Sequence, residues 1–191
     1  MELILVRHGR PERVDHDPTG ADPGLTDLGH RQAAASADLL QNAGIEHVYV
    51  SPMLRAIETA RPLSAHVGQD EATVVDGIAE FDLGETSYIP GEELELTQEG
   101  VDALYAKMMA PEFAERVIDG MDHIIRNNPG GRVAAVCHGG VISRYLCHIL
   151  GLDPATTYLN SEYTAVTRLE ASSNGRRSML TFNEHHWLHS L

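Results

Sequence analysis

The chain has 191 residues, 42% of them apolar, and a formal net charge of −14 with the histidines neutral. That length and apolar fraction suit one domain spanning residues 1–191. The acidic balance argues against nucleic acid and anionic membranes as partners, since both are bound by clustered Lys and Arg, and no run is long and apolar enough to span a bilayer.

Leu3-Ile4-Leu5-Val6 is a continuous apolar run and predicts a strand buried on both faces. It begins almost at Met1, so no signal peptide is expected. It ends in Arg7-His8-Gly9, which brings a cation and an imidazole to the strand's C-terminal end, where parallel α/β sheets bind ligands. The glycine is expected to let the backbone turn sharply and approach a ligand. Pro11, Pro18, Gly20, Pro23 and Gly24 make residues 10–25 a loop. Thr26 is the expected N-cap of a helix through Leu28, Ala33, Ala37 and Leu40, ended by Gly44. His47–Val50 predicts a second strand stopped at Ser51-Pro52, followed by a helix through Ile57, Ala60 and Leu63 with Arg55 in its first turn. Thr73–Val75 predicts a short third strand.

An acidic, glycine-containing excursion begins at about residue 80, and a cap-like region is expected to run to about 130. Its helical part, Val101 to Arg126, is expected to break before Pro111. Arg132–Cys137 predicts a strand ending at His138-Gly139-Gly140, before a helix through Ile142, Tyr145, Leu146 and Ile149. Cys137 and Cys147 lack metal-motif spacing, so a reducing cytoplasm is the expected compartment. Segments near 162–170 and 177–183 predict two strands joined by an Asn174-Gly175 turn. The alternation predicts an α/β fold: a three-layer α/β/α, doubly wound, mostly parallel sheet with an antiparallel edge.

Three strand-to-helix junctions therefore converge at one sheet edge. They carry Arg7 and His8, then Arg55, then His138 with Gly139. Two arginines offer forked, permanently charged donors that match phosphate oxygens. A helix N-terminus at Gly139 adds backbone N–H groups and a favourable dipole. The constellation predicts a pocket for a phosphate dianion.

Leu5-Val6-Arg7-His8-Gly9, Leu25–Ala33, Ser51–Ala60 and Val136–Gly140 resemble, in order and placement, segments of the histidine phosphatase superfamily, also called phosphoglycerate mutase-like. The resemblance covers nearly the whole chain. It implies that His8 is a nucleophile forming a phosphohistidine, and that Arg7, Arg55 and His138 hold the phosphoryl oxygens. It implies neither metal nor cofactor. Ile78–Gly84 resembles the family's acid segment, which makes Glu80 the candidate proton donor, with Asp82 and Glu85 as competitors. Arg10-Pro11-Glu12 departs from the acidic or amide residue and threonine that many members carry after Arg-His-Gly. Arg10 is thus a candidate substrate contact, or a solvated group at the mouth.

Between Glu80 and Arg132 the cations are Lys107, Arg116 and Arg126, against many carboxylates including Glu92, Glu93 and Glu95. That balance, with a chain short for a mutase of this family, favours a phosphatase over a phosphoglycerate mutase. A phospho-ligand binding module without turnover ranks last. The expected partner is a small-molecule phosphomonoester with a neutral or apolar leaving group; a homodimer is left open. His185, His186 and His189 are expected in a polar tail around Trp187, and Met108, Met109 and Phe113 in core packing.

Overall fold

The computed structural model describes residues 1–94, 97–172 and 174–190; Glu95 and the side chain of His189 lie outside the described residues. Six strands form one sheet in the order β3-β2-β4-β1-β5-β6. They are β1 (Glu2–Arg7), β2 (His47–Val50), β3 (Thr73–Val74), β4 (Arg132–Cys137), β5 (Val166–Ala171) and β6 (Arg177–Glu184). β1 to β4 pair in parallel, while β5 and β6 add an antiparallel edge. The helices are α1 (Asp27–Leu40), α2 (Leu54–His66), α3 (Gln98–Met108), α4 (Pro111–Asn127) and α5 (Gly139–Leu150).

Alternate strand residues face opposite layers. Leu3, Leu5, Val133 and Ala135 pack with Phe113, Val117, Met121 and Ile124 of α4 and with Val141, Ile142, Tyr145 and Leu146 of α5. Ile4, Val6, Val48, Val50, Ala134 and Val136 pack on the other face with Ala37 and Leu40 of α1 and with Ala56, Ala60 and Leu63 of α2. This double burial is why the central strands read as continuous apolar runs.

Within the stretch 80–130, α4 is amphipathic and lays its apolar face on the sheet core; Phe113 packs edge-on against Phe81 there, 5.8 Å between centroids. β5 begins at Val166 rather than near 162, because Thr164 turns the chain with φ 55°. Its N–H donates to the carbonyls of Arg7 (3.0 Å) and His8 (3.3 Å), bracing the end of β1. The β5–β6 connection turns at Asn174-Gly175 as expected, with Gly175 at φ 89° and Ser172 N–H donating to the Arg176 carbonyl at 2.9 Å. At the centre of the expected polar tail, Trp187 is partly buried and packs on the α1–α2 layer. Among the described residues no helix is long and apolar enough to cross a membrane.

Candidate active site

Register places the site. Arg7 is level with Cys137, and Val50 with Val136, so His8, His138 and Ser51 emerge together at the C-terminal ends of β1, β4 and β2. His8 is 3% exposed and its ring lies 5.0 Å from that of His138, which is fully buried. His8 Nδ1 lies 2.8 Å from the Gly9 carbonyl oxygen. A carbonyl only accepts, so Nδ1 carries the hydrogen and Nε2 keeps its lone pair. Burial, then the charges of Arg55 and Arg7, hold the His8 pKa well below 6.5, and the Gly9 bond opposes this only in part. Burial and Arg55 likewise depress His138. Both imidazoles are therefore neutral at pH 7.

The structure brings Arg7 and Arg55 to the same place. Arg55 is 1% exposed, and its Nη2 donates to both oxygens of Asp82 at 2.8 and 3.0 Å. Arg7 Nη1 donates to the Ser161 carbonyl at 2.5 Å, and its Cζ sits 4.2 Å from the Tyr163 ring centroid. Arg7 Nε, Arg55 Nε, Arg55 Nη1 and His138 Nδ1 are buried with no protein partner. A buried polar group left unpaired costs about 1–3 kcal/mol, more when charged. Several such nitrogens at one sheet edge leave donors free to meet an acceptor that the protein itself does not supply.

Glu80 is 7% exposed. Its Oε2 accepts from Gly140 N–H at 2.8 Å and its Oε1 from Phe81 N–H at 3.2 Å. Burial, reinforced by the Asp82 charge, pushes its pKa up to about 7 against those two bonds and Arg55. The competing carboxylates are engaged elsewhere: Asp82 on Arg55, and Glu85, 46% exposed, on Lys107 at 2.6 Å. One expectation is thereby altered, because the α5 N–H of Gly140 already serves Glu80. A side chain at Gly140 would run into the Glu80 carboxylate.

Packing also requires glycine at position 9. Its φ is not positive, and a Cβ there would lie 2.6 Å from the Gly29 carbonyl oxygen. The start of α1 presses on the loop after β1 and leaves no room for a side chain at Gly9. Arg10 lies at the partly solvated mouth, where its guanidinium is held by Glu92 (2.8 Å) and Glu93 (2.7 Å).

Sequence reasoning gave no role to several residues that shape the site. Ser51 Oγ lies 2.7 Å from His138 Nε2. Thr59 Oγ1 accepts from Gly9 N–H (2.9 Å) and donates to the Arg55 carbonyl (2.7 Å), tying the two loops together. Both lie inside the Ser51–Ala60 motif, which was their only signal. Tyr88, stacked 4.6 Å from Arg55 Cζ, and Tyr163 lie in loops with no periodic pattern.

Comparison with known proteins gives the family and the fold. The chain belongs to the histidine phosphatase superfamily, branch 1, whose family model matches residues 3–184. It is 28% identical over 158 residues to an uncharacterized phosphatase, PhoE, of Bacillus subtilis, covering 80% of this chain and 79% of that one. It is also 28% identical over 198 residues to a 2,3-bisphosphoglycerate-dependent phosphoglycerate mutase of Brucella anthropi, covering 90% and 93%. A phosphoserine phosphatase from Entamoeba histolytica, solved with 3-phosphoglyceric acid, shares the fold with a TM-score of 0.76 at 22% identity, over 98% of both chains.

Proposed function

We propose that this protein is a metal-independent phosphomonoester hydrolase. His8 Nε2 attacks phosphorus and the bond to the leaving oxygen breaks, its electron pair staying on that oxygen. Glu80, held protonated near neutral pH, gives the oxygen its proton. The phosphohistidine keeps its Nδ1–H on the Gly9 carbonyl. Glu80, now ionised, takes a proton from water, which attacks phosphorus and releases phosphate and neutral His8. Arg7, Arg55, His138 and the start of α5 at Gly139 hold the phosphoryl oxygens and offset their charge.

The observation that carries this reading is the group of unpaired buried nitrogens of Arg7, Arg55 and His138 beside a neutral imidazole. The mutase-type relative supports a second reading, phosphoryl transfer to a phosphoglycerate. Phosphatase is favoured because Lys107 is committed to Glu85, and Arg116 to the carbonyls of Asp76, Gly77 and Ala79. The unpaired, buried Cys137 and Cys147 support a cytoplasmic location.

The test is phosphate release from p-nitrophenyl phosphate in EDTA, wild type against His8→Ala, with acid-labile, base-stable phosphoenzyme trapped by rapid quench. Turnover and phosphoenzyme that survive chelation and vanish in His8→Ala are expected. Equal turnover in both proteins refutes His8 as nucleophile. Tight phosphate binding without hydrolysis of any ester leaves a binding module.

A further inference from the structure

The mouth of the site carries a charge arrangement that the proposed chemistry does not use. His8, His138 and Arg55 are nearly or fully buried, so the organic part of an ester held there extends outward past the excursion. That excursion is fastened over the mouth: Val14 and Tyr88 exchange N–H···O bonds of 2.8 Å, and Asp17 N–H and Ala21 N–H donate to the carbonyls of Thr86 and Glu85. It delivers the short 3₁₀ turn Gly91–Glu93 to the rim.

There, Glu92 joins two walls. Its Oε1 accepts from Arg10 Nε at 2.8 Å, and its Oε2 from the Tyr163 hydroxyl at 2.9 Å. Glu93 accepts from Arg10 Nη2 at 2.7 Å and lies 3.7 Å from Arg13, which Asp15 already engages at 2.6 Å. The Tyr163 ring in turn stands 5.7 Å from the His8 ring and under Arg7. Arg10 is thus the rim cation two residues beyond His8, and two carboxylates cancel it. A leaving group bearing its own anion meets Glu92 and Glu93 rather than a free guanidinium.

We propose that Glu92 and Glu93 mask Arg10 and so select phosphomonoesters whose leaving group carries no negative charge. The inference rests on the phosphatase reading and names the substrate class that reading leaves open. Unmasking Arg10 should convert the rim from repelling to attracting a second anion.

The test uses a matched pair, phenyl phosphate and 4-carboxyphenyl phosphate, which differ by one carboxylate. The readout is the ratio of their kcat/KM values, which cancels effects common to both esters. In the Glu92→Gln/Glu93→Gln double variant the ratio should shift about tenfold toward the carboxylated ester, a gain that shrinks with added salt because the rim is partly solvated. Adding Arg10→Gln should remove most of that gain. A double-variant ratio within about twofold of wild type, with both esters turned over, overturns the filter alone. A wild type that hydrolyses neither ester overturns the phosphatase reading and the filter together.

Discussion

Replacing Glu80 by glutamine separates its chemical from its structural contribution. The carboxyl is buried against Gly140, and its pKa is pushed up to about 7 from 4.5, burial first and Asp82 second. A raised carboxyl pKa means the folded state binds the extra proton between those values. The group therefore costs no stability below about 4.5, and its cost grows with pH until it is complete above about 7, at about 3 kcal/mol. Glutamine escapes that cost but turns an amide nitrogen toward Phe81 N–H or Gly140 N–H, which forfeits about 1 kcal/mol. Glu80→Gln should thus be about 2 kcal/mol more stable than wild type at pH 8 and no more stable at pH 4.5, by urea unfolding. Its activity should move the other way. An alkyl phosphate, whose leaving oxygen needs a proton, should lose about 10²–10⁴-fold in kcat/KM, while p-nitrophenyl phosphate, whose phenolate leaves unaided, loses far less. Equal losses on both esters would refute Glu80 as the acid. A stability difference independent of pH would refute the burial argument.

Gly140→Ala places a methyl against the Glu80 carboxylate and should reproduce the selective loss on alkyl esters, at a stability cost of about 1–3 kcal/mol, measured by kinetics and unfolding. Ser51→Ala removes the bond to His138 Nε2 and should lower kcat about tenfold while destabilising by about 1–2 kcal/mol; unchanged kcat would show that packing alone orients the ring. In the free protein, the His8 and His138 ring resonances should not titrate as pH falls through 6.5, because burial, Arg55 and Arg7 hold both neutral. The unfolded chain protonates there and the folded one does not, so acid should erode stability from about pH 6.5 downward, by NMR and unfolding together.

Much of this protein is determined by local sequence. The runs Leu3–Val6 and Val133–Cys137 have to be doubly buried strands, because they hold no polar residue to turn toward water. Arg7, His8, Arg55 and His138 follow such strands or open the next helix, so parallel pairing alone brings them to one edge. The family resemblance named Glu80, but residue types alone left it level with Asp82 and Glu85. Tertiary structure gives the three different surroundings, burying Glu80 against Gly140 and pairing Asp82 and Glu85 with cations of their own. Packing likewise decided that the apolar face of α4 joins the sheet core, and that Gly9 is pressed by Gly29. It also set Arg10 facing residues more than eighty positions away. Periodicity reports a residue's own face of its own element. Which groups meet across the sheet, and how dry the meeting place is, depends on the register and layering of elements distant in the chain, and those set the charges on which this site works.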